Sequence, residues 1–444
     1  MKNLQNSGFK DEDLPVCTNS SGKICKTDSD SPLDFFADWN SSDIDHFYDK
    51  QWTFLAPVFH ENKFVYEFDG QHRLPYLPAE QAGNASGHFG VVRKLTLHYA
   101  HYQHGEQTKG SVDVPADASF HVALKRLLQN DQQTDVKKFY EKEKHTLEMM
   151  KKLDNKHLIK AIATYTKGND RYFLFPWANG GNLEQLLQSK RGTLDKDLVG
   201  WVLDQIVGLS EAIKALHDKN IRHGDIKPSN VLCSKPETGN VGQSTLIIAD
   251  VGLAKQHMDY TRNRNNTTTT RHGSITYEPP EVSPKRQLKS LSRKYDIWSL
   301  GCVFLELIIW AVYDVHGTRS LHGHLGQNSN SRFWREARFR GAEKIHSAVR
   351  RWMKKLKGDL KRSSAFRDII ELIEDKFLII SDKWRADSMT VVNSLEAIRK
   401  RAKEPSNADY LFNHELERLA TGSRLSASSA SAKRDAADPS TQVS

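Results

Sequence analysis

Apolar and polar residues alternate along two early stretches, GVVRKLTLHYA (90–100) and FHVALKRL (120–127). A period of two predicts β-strands with one buried face. RYFLFPWA (171–178) reads as a third strand, closed at Pro176. Between them, VKKFYEKEKHTLEMMKKL (136–153) puts Phe139, Leu147, Met150 and Leu153 on one broad face, which predicts a helix. After residue 182 helical periods take over, in LEQLLQS (183–189), LVGWVLDQIVGLSEAIKALHDK (198–219) and YDIWSLGCVFLELIIWA (295–311). The longest apolar run, GCVFLELIIWAV (301–312), has twelve residues and contains Glu306. It is too short to span a bilayer and predicts a buried helix, so no membrane span is expected. Residues 33–79 interleave aromatics with polar residues (DFFADW, QWTFLAPVF, FVYEF, LPYLP) and predict an ordered N-terminal extension. Residues 1–32 are polar and predict a disordered segment, and 405–444 predict a C-terminal tail that is Ser/Ala-rich from 421 onward.

Strands that give way to helices predict an α+β architecture of two lobes. The smaller is an antiparallel-sheet lobe with one helix (about 80–176), the larger is mainly helical (about 180–404), and a cleft between them would take a small ligand. Charge adds one feature. The net charge is +9, from 64 basic and 55 acidic residues. The segment 332–362 alone holds twelve Lys/Arg against Glu336, Glu343 and Asp359, which equals that excess. It reads as a basic helical face, either simply solvated or able to dock an acidic partner or a membrane surface. No recognised nucleic-acid motif accompanies it, so nucleic acid is not an expected partner. The four cysteines (Cys17, Cys25, Cys233, Cys302) lack paired metal-type spacing, and the N-terminus lacks the apolar core of a secretion signal. Both point to reduced thiols in a cytoplasmic or nuclear protein.

The polar residues with chemical potential fall in a definite order. ASGHFGVV (85–92) offers Gly87 and Gly90, whose backbone N–H groups could approach phosphate oxygens; a glycine-containing hairpin explains the same residues. Lys125 lies thirty-five residues after Gly90, on the otherwise apolar strand VALK, where a buried ammonium needs an anionic partner. Glu143 and Glu148 lie on the following helix. RHGDIKPSN (222–230) then groups Asp225, Lys227 and Asn230, and Asp250 ends the apolar run IIAD twenty-five residues after Asp225. An Asp there, followed by Gly252, suits a metal-held phosphate. Glu281 in YEPPEV and Asp296 in YDIWSLG are carboxylates in apolar surroundings.

This series resembles the signature set of the eukaryotic protein kinases, Ser/Thr type, over roughly residues 80 to 400. QWTFLAPVF with LPYLP, and HLIKAIATY before FLFPWANGGNL, further resemble kinase-domain proteins of filamentous fungi. The family resemblance implies ATP and Mg²⁺, with protein substrates. It implies Asp225 as the base for a substrate hydroxyl, Lys227 as the cation beside the transferred group, and Asn230 and Asp250 as metal holders. Lys125 would grip the α- and β-phosphates, oriented by Glu143 rather than Glu148, because the residue four further on packs into a buried spine and is Leu147 in one case and Lys152 in the other. Gly87, Gly90, Val92, Ala123, Phe175, Pro176 and Ala178 would line the ATP site. Lys227 and the loop GSITYEPPE (273–281) resemble the Ser/Thr class, with Ser274 near the base, Glu281 paired to Arg385, and Asp296 anchoring the catalytic loop. Three positions depart from the pattern: Ala85 for the first loop glycine, Val251 for Phe, and Gly224 for the Arg before the base. A catalytically silent kinase fold acting as a scaffold through its basic segment is the alternative.

Overall fold

The computed structural model describes residues 9–10, 13–27, 29, 31–77, 84–87, 90–103, 119–128, 136–235, 243–250, 275–283, 291–326, 331–336, 343–360 and 364–421. The chain forms two compact units. Unit one is Met1–Lys144 with Lys160–Trp177, and unit two is His145–Ile159 with Ala178–Ser444.

Unit one begins with a hairpin of β1 (Val16–Thr18) and β2 (Ile24–Lys26), then helix α1 (Ser41–Phe54). Strands β3 (Phe59–His60), β4 (Val65–Phe68), β5 (Tyr76–Leu77), β6 (Asn84–Gly87), β7 (Gly90–His98), β8 (Tyr102–Gln103) and β9 (Ser119–Leu127) follow. Helix α2 (Val136–Lys151) starts in unit one, and β10 (Ala163–Lys167) and β11 (Asp170–Pro176) complete the unit. Seven strands make one sheet in the order β4-β10-β11-β9-β7-β5, with β6 on β7. Alternation places Leu97, Val122, Leu124 and Leu174 in a core with Phe59, Tyr66, Ile162, Ala163 and Tyr165.

Three expectations for this half are corrected. The segment 1–32 is not wholly disordered. Val16 and Ile24 of the hairpin pack with Phe36, because even a polar segment can bury a few apolar residues against an aromatic cluster. The side chain of Gln51 in α1 accepts from Val16 N–H at 2.8 Å and donates to its carbonyl at 3.1 Å. The sheet is mixed rather than antiparallel, since β4 runs parallel to β10. The residues expected to form a separate extension thus supply β4 and β5 to the sheet, and unit one holds α1 as well as the start of α2.

Unit two is mainly helical. Its helices include α3 (Leu183–Gln188), α4 (Lys196–Asp218), α5 (Lys294–Leu325), α6 (Ser347–Asp359), α7 (Ala365–Leu372), α8 (Ser388–Lys403) and the short α9 (Ala408–Leu411). Two hairpins lie among them, β12 (Val231–Ser234) with β13 (Thr245–Ile248), and β14 (Trp334–Glu336) with β15 (Glu343–Ile345). Polar caps set the helix starts: Asp195 accepts from Leu198 N–H at 2.9 Å, and Asn182 with Gln185 forms a reciprocal box at α3. By length and composition α5 could cross a membrane, but its most apolar window is wholly buried inside the protein. Asp314 breaks α5 with a left-handed backbone (φ +60°), and its Oδ1 accepts from the N–H groups of Arg191 and Val315, both at 2.7 Å.

Two further expectations change here. The basic segment 332–362 is not one helical face. It folds as the β14–β15 hairpin followed by α6, which buries Ala348, Val349, Trp352, Met353 and Leu356 and turns Arg350, Arg351, Lys354 and Lys355 outward. Nor do residues 405–421 behave as a tail. Tyr410, Leu411 and Leu416 are buried, and the Tyr410 hydroxyl donates to Asp368 at 2.7 Å.

Candidate active site

In unit one, β9 carries Val122 and Leu124 on its core face, so Ala123 and Lys125 share the other. Strand register pairs Lys125 with Val92 of β7 and Phe173 of β11, and Ala123 with Phe175. Val92, Ala123, Lys125 and Phe175 therefore occupy one face of the sheet. From α2, Glu143 accepts from the Lys125 ammonium at 2.9 Å, and both side chains are buried. α2 is held by Tyr140, whose hydroxyl hydrogen-bonds that of Thr164 at 2.9 Å. Gly87 and Gly90 are cross-strand partners where β6 turns into β7. A Cβ on Gly90 would sit 2.5 Å from the Arg126 carbonyl oxygen of β9, so strand packing by itself demands glycine there. The connecting residues 88 and 89 lie outside the described residues. Pro176 pairs with Val122 at the end of β11 and brings a carbonyl but no N–H.

In unit two, the stretch after α4 is tied down by one buried carboxylate. Asp296 accepts from His223 N–H (2.8 Å), Gly224 N–H (2.7 Å) and His217 Nε2 (2.8 Å), and is fully buried near the start of α5. Gly224 adopts φ +74°, a conformation that glycine takes without the cost a Cβ would add. The His223 ring spans the loop. Its Nε2 is 2.9 Å from the Ala249 carbonyl and its Nδ1 accepts from Asp225 N–H at 3.2 Å, a pattern that assigns the proton to Nε2.

Asp225 is the meeting point of the loop. Its Oδ2 accepts from the Lys227 ammonium at 2.8 Å and from Asn230 Nδ2 at 3.0 Å, and Asn230 also donates to its main-chain carbonyl at 2.8 Å. With its amide nitrogen committed to Asp225, Asn230 keeps a carbonyl oxygen for another partner. The Asn230 main-chain carbonyl accepts from Ala249 N–H at 2.9 Å, which draws the end of β13 alongside. Asp250 follows, exposed and left-handed (φ +57°). Backbone strain of this kind concentrates at functional sites.

Glu281 and Arg385 form a forked pair at 2.7 and 2.8 Å, both almost fully buried. The remaining Arg385 N–H groups reach the carbonyls of Lys294 and Ile379, so all five donors are used. Ser274 and Val251 lie outside the described residues, as does the whole segment between Asp250 and Ile275.

Several groups went unassigned in the sequence. His217 and His223 serve as loop anchors, and the signal was a His at the end of an apolar helix and another beside Gly224. Glu278 pairs with Arg332 at 3.2 Å; burial pushes its carboxyl up, and it feels the charges of both Asp225 and Lys227. Buried Glu306 accepts from the Tyr277 hydroxyl at 3.1 Å and contacts His322 Nε2 at 3.1 Å. The Glu306 charge holds the His322 imidazole above its ordinary value, against an opposing effect of burial. Tyr277, Glu306 and His322 line a cavity of about 450 Å³ that also touches Glu184, Pro228 and Thr318.

The family model of the protein kinase domain matches residues 105–372, more than half of the 444-residue chain. The chain belongs to the protein kinase family. This match contains Lys125, Glu143, Asp225, Lys227, Asn230, Asp250, Glu281 and Asp296; the glycine turn at 87–90 precedes it and Arg385 follows it. Among similar proteins, serine/threonine-protein kinase nekl-2 of Caenorhabditis elegans is 29% identical over 177 residues, 38% of this chain and 46% of that protein. Serine/threonine-protein kinase ULK1 of Homo sapiens is 30% identical over 164 residues, 36% of this chain and 14% of ULK1. Mitogen-activated protein kinase kinase kinase 5 of Homo sapiens is 29% identical over 208 residues, 46% of this chain and 14% of that protein. The aligned region is thus less than half the length of each of these relatives.

Proposed function

We propose that the chain is an active ATP-dependent kinase that phosphorylates Ser/Thr hydroxyls of protein substrates. The observation that carries this is the Asp225 cluster: one carboxylate oxygen held by both Lys227 and Asn230 on a loop anchored by Asp296. A carboxylate fixed in this way can accept the proton of an incoming hydroxyl as it attacks. The Lys227 ammonium, 2.8 Å from that oxygen, would supply a cation to the negative charge on the transferred group. Kinase-family membership and relatives named as serine/threonine kinases support the same reading.

Lys125, fixed by Glu143, would hold the nucleotide phosphates, on the sheet face shared by Val92, Ala123 and Phe175. Asn230 and Asp250 offer an amide oxygen and a carboxylate, hard donors that suit Mg²⁺. Bound there, the ion would neutralise phosphate charge. All the ionic groups required are present, which favours catalysis over the silent-scaffold alternative. An acidic docking partner would meet the outward cations of α6. We place the protein in the cytoplasm or nucleus.

The test is Lys125→Met. Removing the ammonium takes the Lys125 charge away from buried Glu143, so the melting temperature drops while a cooperative transition remains. Transfer of the γ-phosphoryl group to a generic protein substrate should fall at least about a hundredfold, ~2.7 kcal/mol. Undiminished transfer by the folded variant would overturn the proposal.

A further inference from the structure

Cys17 and Cys25 are eight residues apart in sequence, and the β1–β2 hairpin makes them directly opposed partners. Their Sγ atoms are 3.2 Å apart, and neither sulfur is in a disulfide. Opposed residues in an antiparallel pair have Cα atoms about 4.5–5.5 Å apart, within the span of a disulfide, and closing the bond needs the sulfurs to approach by only about 1 Å. The two thiols differ in access: Cys17 is partly exposed and Cys25 is buried.

The surroundings hold this pair in place without help from a covalent bond. Val16 and Ile24 project from the hairpin into the cluster around Phe36, and Gln51 of α1 grips both polar backbone groups of Val16. An ion pair between Lys26 and Asp13 adds a further tie. The register is therefore set before any oxidation. The other two cysteines, Cys233 and Cys302, are fully buried in unit two and provide internal controls.

We propose that Cys17 and Cys25 are a redox modification site that closes reversibly into a cross-strand disulfide on exposure to a small-molecule disulfide. The oxidant class is a dialkyl disulfide such as oxidised glutathione. The Cys17 thiolate attacks one sulfur of that disulfide, forming a mixed disulfide and releasing one glutathione thiolate, which takes up a proton. The Cys25 thiolate then attacks the Cys17 sulfur and expels the second glutathione. Two protein thiols are oxidised and one external disulfide is reduced to two thiols. Cys17 is the entry point because it is the accessible thiol; Cys25 needs no access because its target is already alongside.

The experiment treats the full folded chain with oxidised glutathione, quenches with acid, alkylates in denaturant, and maps the peptides by mass. The expected product is a single Cys17–Cys25 cross-link, two hydrogens lighter than the reduced peptides, with Cys233 and Cys302 alkylated and full reversal by dithiothreitol. Cys25→Ser should stop at glutathione-bound Cys17, and Cys17→Ser should leave Cys25 alkylated. Should either variant misfold, the wild-type map alone still decides the matter. Recovery of Cys17 and Cys25 both alkylated, each carrying its own glutathione, or joined between two chains, would overturn the proposal.

Discussion

At the residue scale, the chain repeatedly solves one problem: keeping a buried charge in company. Glu306 does so with a tyrosine hydroxyl and with His322. This pair has a defined pH signature. Because the folded chain holds the His322 imidazolium more tightly than the unfolded chain does, its contribution is complete below the ordinary imidazole value of about 6.5. It is lost as pH rises through the raised value in the folded state. His322→Gln should therefore lower the melting temperature more at about pH 6 than at about pH 8.5. An equal deficit at both values would show that the ion pair contributes nothing. His322 had no signal in the sequence, where it is one of several histidines in a run of polar residues. Lys125 was different: a lone ammonium on an apolar strand announces its need for an anion, and the helix after it brings Glu143 to 2.9 Å.

At the element scale, the Glu281–Arg385 pair ties a short turn (Pro280–Val282) to the segment before α8, and Arg385 also lies over the Trp298 ring of α5. Both partners are almost fully buried, so removing either leaves a charge without compensation. Arg385→Ala or Glu281→Ala should cost roughly 3–5 kcal/mol in denaturant unfolding. A loss under ~1 kcal/mol would mean that the pair behaves like a solvated surface bridge. Strands β7, β9 and β11 and helices α2 and α4 were legible in the sequence because each keeps its period for two turns or more, or over five or more strand residues. Strand β4, in FVYEF, was not assigned to the sheet, since its parallel partner β10 lies about a hundred residues further on. The run of α5 past residue 312 and its break were also hidden: Asp314 lies beyond the apolar stretch, and only the N–H groups of Arg191 and Val315 reveal its work.

At the scale of the whole molecule, the order of motifs revealed the family while the boundaries stayed obscure. Motif order is local chemistry, whereas a boundary depends on which distant surfaces bury one another. The structure moves the N-terminal boundary upstream of residue 80, because Phe59 and Tyr66 are core residues of the sheet in unit one. A chain shortened to begin at residue 80 should melt at least about 5 °C below one beginning at residue 55, since losing two buried aromatics costs several kcal/mol. Equal melting temperatures would contradict that boundary. The central claim is that Asp225 and its neighbours perform phosphoryl transfer to hydroxyl groups, and one comparison tests it most directly. Wild type and Asp225→Asn are incubated with γ-labelled ATP, Mg²⁺ and a mixed protein substrate, and the labelled amino acids are identified. The account predicts label on serine and threonine from the wild type, reduced at least about a hundredfold in the variant. Label retained by a folded Asp225→Asn protein, or its absence from the wild type, would contradict it.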